Sequence, residues 1–539
     1  MLKKSHWRLN IGIIFSVLIV SAGCQTALDK RPNIVIIMAD DMGFSDLGCY
    51  GGEINTAHID QLAQEGLRFT SFYNAARCCP TRASLLTGLY PHQAGVGRMV
   101  SRKPAEAESG PYQGYLNDRC VTLAEVLKTA GYTTLMSGKW HVGEEHPHWP
   151  MDRGFDDYYG LISGGANYFD IRKTKAPGVQ RHFARKNEEY MPPAENWYMT
   201  DAITDEALRM LDENESKNDP LFLYVAYTAP HWPLHAWPED IKKYRGKYLI
   251  GWDKLRDQRY QRQKELGLFG DVLPVLSERD PIVPAWSTLS EEKKNEMDLK
   301  MAVYAAQIEC MDRGIGKILQ KLEVLDKKDN TLVMFLSDNG ACAEGGIYGR
   351  DFWENGVPPG GKDSFHNYGM AWANASNTPF RKYKQYTHEG GITTPLIISW
   401  PAQLKDKGGI TNQPGHLIDI MATCCDVGAA EYPKLYNNHE ITASSGKSLL
   451  TVIRGERREP HEMLYWEHIG SVGIRKGDWK LVASRDEVWE LYDLSGDRTE
   501  LNNLIKTHPE KALELHRDWL DWAKACGVKI REIHEHLSK

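Results

Sequence analysis

A continuous apolar run, too short for a helix, recurs along the chain and in most instances leads into charged or amide residues. Its first instance is RPNIVIIMADD at residues 31–41, where a turn signal opens the run and Asp40 and Asp41 close it. A strand buried on both faces reads this way, because neither face is left to alternate with solvent. The pattern returns in TTLMSGKWH, LFLYVAYTAPHWP, TLVMFLSDNG and TPLIISWP. Helix-like stretches such as HIDQLAQEGLRF and VTLAEVLKTAGY lie between several of them. That alternation predicts an α/β fold with a large parallel or mixed central sheet flanked by helices.

In such a sheet the ligand crevice lies beyond the carboxyl ends of the strands. Asp40 and Asp41 follow the first run, Lys139 and His141 the second, His231 the third, and Asp338 with Asn339 the fourth. Asp40, Asp41, Asp338 and Asn339 are all oxygen donors, which favours a hard cation, Ca²⁺ or Mg²⁺, over zinc. Calcium is the preferred ion for an exported protein. One Asp-Asp or Asp-Asn pair at a strand end is usually a turn or a cap. Two pairs on two strands argue for an ion.

A chain of 539 residues with 42% hydrophobic content exceeds one simple domain, so two globular parts are expected. Near residue 460 the texture changes to period-two runs, MLYWEHIGSVGIRKGDWKLVAS and VWELYDLS, followed by an amphipathic helix from about Pro509. The division is therefore a catalytic part over 31–459 and a smaller antiparallel sheet closed by a helix over 460–539. A balance of 65 basic against 72 acidic residues excludes a protein that neutralises nucleic-acid phosphates along a groove. The segment Lys242–Lys264 is locally basic, with Tyr244, Tyr248, Trp252 and Tyr260 interleaved. It reads as a solvated basic helix rather than a glycan-holding surface.

Residues 1–30 form an export leader. Lys3, Lys4 and Arg8 precede an apolar stretch from Ile11 to Val20, then Ser21, Ala22, Gly23 and Cys24. The stretch is too short for a convincing membrane span. Small residues ending in cysteine resemble a bacterial lipobox, so a lipid anchor at Cys24 is the one membrane attachment expected, with plain secretory cleavage as the alternative. The protein is then periplasmic, at the outer membrane or cell surface, or secreted. Ten cysteines show no compact disulfide spacing, and no pairs are assigned. Cys424 and Cys425, in the helix-like HLIDIMATCC, read as core.

NAARCCPTRASLLTG places Cys78, Pro80 and Arg82 in a C-x-P-x-R frame; counted from Cys79 the same offsets fall on Thr81 and Ala83. Composition allows at most about 0.06 chance matches in such a chain, so the frame is informative but not sufficient. It resembles the sulfatase family of the alkaline-phosphatase superfamily, in which that cysteine is oxidised during export to formylglycine by a maturation enzyme. Other segments match in order. ADDMGFSDLGCYG and LSDNGA resemble the family's two metal-binding segments, SGKWHVG its Lys and His pair, TAPHWP its mid-chain His, and TPFRKYKQYTHEGGITTP its final segment. Alignment on HEGG puts the sulfate-binding lysine at Lys384, with Lys382 as fallback, because RKYK departs from the glycine-containing form common in the family. GIRKGDWKLV and ELYDLSGDRTELNNL resemble the family's tail.

The resemblance implies one Ca²⁺ among Asp40, Asp41, Asp338, Asn339 and the matured Cys78. It implies that Arg82 holds the nucleophile and balances charge, and that Lys139 and Lys384 bind sulfate oxygens. His141 would take a proton as sulfate leaves, and His231 would hold the sulfate or protonate the leaving oxygen. As its hydrate, a formylglycine carries two hydroxyls on one carbon, so one can attack sulfur while the other later expels sulfate. Seen singly, each of these Lys and His residues is more often structural. His92, His146, His148, His235, Trp232 and Trp372 are read as packing or surface residues. The expected substrate is a sulfated carbohydrate. Two rivals remain: a phosphate or phosphonate ester hydrolase with the same nucleophile, and a surface lipoprotein that binds sulfated glycans without cleaving them.

Overall fold

The computed structural model describes residues 1–2, 31–100, 110–270 and 272–537. Residues 3–30 of the leader, including Cys24, lie outside the described residues. Among those that are described, no helix is long and apolar enough to cross a membrane.

An eleven-stranded mixed sheet forms the centre. Its strands are β1 (Asn33–Ala39), β2 (Leu67–Tyr73), β3 (Thr133–Gly138), β4 (Asp157–Leu161), β5 (Phe183–Arg185), β6 (Glu188–Glu189), β7 (Leu221–Ala226), β8 (Thr331–Ser337), β9 (Thr393–Ser399), β10 (Gly409–Thr411) and β11 (Gly415–His416). The order is β10-β2-β9-β8-β1-β7-β3-β4-β5-β6, with β11 also paired to β2. β8, β1, β7, β3 and β4 run parallel to their neighbours within that group, whereas β9 is antiparallel to both β8 and β2.

Strand periodicity explains the continuous apolar runs. Val35, Ile37 and Ala39 of β1 enter one core, and Ile34, Ile36 and Met38 enter the other. β7 and β8 divide in the same way, so both faces must be apolar. The first face is covered by α1 (Ala57–Glu65), α4 (Met199–Glu213) and α7 (Glu291–Val324); the second is covered by α2 (Cys78–Thr87), α3 (Leu123–Thr129) and the helix Ile418–Gly428. α7 starts where the Ser290 hydroxyl accepts from Lys293 N at 3.2 Å, with Glu291 and Glu292 in its first turn, a favourable end for acidic residues.

Three local expectations change. HIDQLAQEGLRF is not one helix: α1 ends at Glu65, and Leu67–Tyr73 is β2, whose alternation was hidden by the helical pattern before Gly66. The basic segment is not simply solvated. In α6 (Gly251–Glu265), which follows α5 (Pro238–Tyr244), Trp252, Leu255, Arg256 and Arg259 are buried. Arg259 holds Asp46 at 2.7 Å and Glu53 at 2.8 Å, so its charge is spent on pairing inside the fold. In the helix Ile418–Gly428, Cys424 is buried but Cys425 is only half-buried. All nine described cysteines are free thiols.

Met463–His468, Ser471–Lys476, Trp479–Ala483 and Glu490–Asp493 form a separate four-stranded antiparallel sheet. The helix Pro509–Ala525 closes it, with Leu515 and Trp519 buried against Ile474, Leu481 and Leu491.

Buried imidazoles make the fold sensitive to acid. Burial pushes the pKa of His235 down to about 4, and those of His416 and His468 down to about 3. An unfolded histidine titrates near 6.5. As pH falls from about 6.5 toward 4, the unfolded chain gains protons that these three refuse when folded, so stability is lost over that window. The thermal midpoint is expected to be several degrees lower at pH 5 than at pH 7.5; equal midpoints would contradict this.

Candidate active site

Register brings the site together. Ala39 pairs with Ser337, Met38 with Ala226, and Gly138 with Ala226. The carboxyl ends of β1, β8, β7 and β3 are therefore nearly level, and Asp40, Asp338 and Lys139 emerge side by side. Gly138 is required there. It has φ +121°, and a Cβ on it would lie 2.0 Å from the Ala226 carbonyl oxygen, so only glycine lets β3 run this close to β7 before turning out Lys139. Asp41 and His141 also take left-handed backbone, φ 66° and 61°, a conformation that is uncommon for non-glycine residues.

The C-x-P-x-R frame becomes legible in α2. Cys78 is its first residue, and Arg82, four positions on, lies on the same helix face. Pro80 sits in the first turn, where its missing N–H costs nothing. Cys78, Cys79 and His141 bring ligand atoms within 4.8 Å of one another. Hydrogen bonding from Cys79, helped by Lys139 and His141 and opposed by burial, holds the Cys78 thiol well below its usual pKa. Burial pushes His141 down, leaving it neutral.

Cations and carboxylates interlock at the strand ends. Lys139 Nζ is 2.6 Å from Asp40 Oδ2, Lys384 Nζ is 2.8 Å from Asp41, and Arg82 Nη2 is 3.0 Å from Asp338 Oδ2. His231 Nε2 lies 3.4 Å from Asp41 Oδ2, and Asn339 Nδ2 donates to Asp41 Oδ1 at 2.7 Å. All of these side chains are buried. The structure thus gathers every residue that the sequence proposed for the site.

Lys384 arrives by a route that the strand-end rule does not foresee. Because β9 is antiparallel, its N-terminal end faces the site, so the segment preceding it supplies the lysine. Lys384 N donates to Ala341 O at 3.1 Å, whereas the Lys382 ammonium lies over the Tyr386 ring at 5.0 Å. Of the two lysines, Lys384 is thus the one in contact with the strand-end carboxylates. The C-terminal sheet clamps this segment: Glu490 pairs with Arg381 at 2.6 Å and His388 at 2.9 Å, and Lys480 pairs with Glu389 at 2.8 Å.

The residues fit a hard cation. Asp40 Oδ1 and Asn339 Oδ1 are buried and accept no hydrogen bond, an expensive arrangement for oxygens with no other purpose. Burial first, then Asp40 and Asp41 against Arg82, pushes Asp338 well above the usual carboxylate range. For Asp40, Lys139, His231 and Arg82 outweigh burial and hold it below that range. A hard dication would relieve such crowding of carboxylates.

Of the residues read as bland, Trp372 is in the core and His235 bonds Ser364 O at 2.8 Å. His92 pairs with Glu467, His146 pairs with Asp152, and His148 stacks on Tyr115. Trp232 is different: it stacks on His231 with ring centroids 5.0 Å apart. Its place next to His231 in the chain was the available signal. Glu344, beside Trp232, carried no sequence signal beyond its place shortly after Asn339.

Comparison with known proteins agrees with this architecture. The sulfatase family model matches residues 32–428, and that for the C-terminal region of N-sulphoglucosamine sulphohydrolase matches residues 380–519. An arylsulfatase of Klebsiella aerogenes is 36% identical over 81% of this chain and 95% of its own. An N-acetylgalactosamine-6-O-sulfatase of Bacteroides thetaiotaomicron is 27% identical over 92% of this chain and 94% of its own. The crystal structure of Ps i-CgsB in complex with k-i-k-neocarrahexaose superposes with a TM-score of 0.66 at 26% identity, covering 92% of this chain and 93% of that one. The chain belongs to the sulfatase family, with an alkaline-phosphatase-like fold, and is a sulfuric ester hydrolase.

Proposed function

We propose that this protein is an exported sulfatase that removes sulfate from carbohydrates, with Cys78 matured to formylglycine and one Ca²⁺ held by Asp40, Asp41, Asp338, Asn339 and the matured side chain. The observation that carries this reading is the convergence of the Cys78 and Arg82 helix face on four oxygen donors and two lysines at level strand ends. Matured, Cys78 supplies a nucleophile that can be regenerated by elimination; Ca²⁺ supplies Lewis acidity and charge neutralisation.

The chain's own residues do the rest. Lys139 and Lys384, rooted at Asp40 and Asp41, orient the sulfate group and concentrate positive charge where negative charge builds up. Arg82 balances the nucleophile and fixes Asp338. His141, neutral and beside Cys78, accepts a proton there. His231 lies against Asp41 and donates to the leaving oxygen.

The carbohydrate assignment is supported by the N-acetylgalactosamine-6-O-sulfatase relative and by the neocarrahexaose complex of Ps i-CgsB. The leader directs the protein to the periplasm or cell surface, with Cys24 as its lipid anchor, and a formylglycine-generating enzyme is its maturation partner.

The test pairs chemistry with mass. In a host with the maturation machinery, the peptide carrying Cys78 is expected to show the aldehyde, and aryl sulfate to be turned over faster than the matching aryl phosphate. Faster phosphate hydrolysis would overturn the sulfate assignment. An unmodified thiol with no turnover would favour a binding protein.

A further inference from the structure

We propose that Glu344 is a positioning residue that holds the nucleophile, His231 and Lys384 at fixed distances from one another. This inference rests on the sulfatase reading above and goes beyond it.

Glu344 lies in the segment leaving β8, and its side chain is 23% exposed. It accepts from Arg77 Nη2 at 2.9 Å, from Gln385 Nε2 at 2.9 Å and from Trp232 Nε1 at 3.0 Å. The three donors come from three separate segments. Each is the immediate chain neighbour of a site residue: Arg77 precedes Cys78, Trp232 follows His231, and Gln385 follows Lys384. One carboxylate thus ties together the α2 entry, the segment after β7 and the segment before β9.

The ties are stiff. Trp232 is stacked between His231 and Phe352, with centroids 5.0 and 4.8 Å away, so a shift of the indole is passed to the imidazole. Gln385 has left-handed backbone, φ 80°, and its N–H donates to Ala76 O at 2.8 Å, which brings the lysine segment against the residues before Cys78. Although burial opposes it, the charges of Lys384, Arg77 and His231 hold the Glu344 carboxyl down at about 2, so it is ionised throughout the working range.

A partly exposed carboxylate of this kind contributes little to overall stability, because water replaces its partners. Rate is different. Reactions between oriented groups are steep in displacement, and about 1 Å can cost a factor of about 100. Glu344 should therefore matter to turnover far more than to folding.

The matured, full-length protein is assayed on an aryl sulfate as wild type, Glu344→Ala, Trp232→Phe and the double variant, with thermal midpoints for each. Glu344→Ala is expected to lose about 100-fold in kcat with a midpoint within a few degrees of wild type. Trp232→Phe, which removes the N–H tie and trims the indole to a single ring while keeping an aromatic face, should lose about 10-fold. In the Glu344→Ala background it should cost clearly less than that, because the tie is already gone. Affinity for inorganic sulfate, measured by calorimetry on unconverted protein with Ca²⁺, should also fall in Glu344→Ala, since the segment carrying Lys384 loses its tie through Gln385. Unchanged kcat and sulfate affinity, fully additive losses, or a rate loss matched by loss of fold would each overturn the proposal. Wild-type turnover scores the sulfatase reading separately, and sulfate binding requires no turnover.

Discussion

Cys78→Ser is expected to abolish turnover, by about 10⁴-fold or more, in a protein that still folds. The two residues differ by one atom at the first position of a buried helix whose N-cap, Arg77, makes no side-chain cap bond, so α2 should form as before. In a host whose maturation enzyme oxidises only cysteine, the serine stays a primary alcohol. A sulfate ester formed on it would have no second hydroxyl on the same carbon to expel the sulfate, so at most one turnover could occur. Initial rates on an aryl sulfate, alongside the circular dichroism and thermal midpoint of both proteins, provide the check. Unimpaired steady-state turnover by a folded Cys78→Ser protein whose residue 78 has the mass of unmodified serine would refute the formylglycine reading.

Asp338→Ala should be nearly as damaging, for two separable reasons. Asp338 Oδ1 accepts from Asp41 N at 3.0 Å, and Oδ2 accepts from Arg82 at 3.0 Å. Without it Arg82, fully buried, loses its nearest carboxylate and keeps the Lys139 carbonyl at 2.8 Å, Asp40 at 3.8 Å and the Tyr224 hydroxyl. Stranding a buried charge costs about 3–5 kcal/mol, so the thermal midpoint should drop. The second loss is a donor to the cation, with weaker Ca²⁺ binding and a rate loss of at least about 100-fold. Calcium titration by calorimetry and initial rates separate the two. Thorough chelation of wild type should likewise remove activity, and added Ca²⁺ should restore it. Activity that survives chelation would sink the metal assignment.

Much of the candidate site was legible in the chain because its geometry is local. Strands buried on both faces leave continuous apolar runs, and parallel strands put functional groups just past their carboxyl ends. Asp40, Asp41, Lys139, His141, His231, Asp338 and Asn339 could therefore be found in the few residues just beyond each run. The Cys78 to Arg82 frame reports one helix face and is equally local. Boundaries were harder. The helical pattern of α1 ran on into β2, and the basic stretch of α6 gave no sign that Arg259 is paired inside the fold, because its partners Asp46 and Glu53 are far away in sequence.

Local patterns in the chain specified the α/β class, a candidate nucleophile at Cys78 and a set of oxygen donors. The tertiary structure alone decided how these meet. It levelled the strand ends through register, and it turned β9 antiparallel so that Lys384 rather than Lys382 reaches Asp41. It also brought Arg77, Trp232 and Gln385 onto one carboxylate, Glu344. The physical reason is the range of each signal. Side-chain periodicity and helix spacing act over a few residues, whereas strand direction and ion pairing depend on which distant segments share the buried space, and no local pattern encodes that choice.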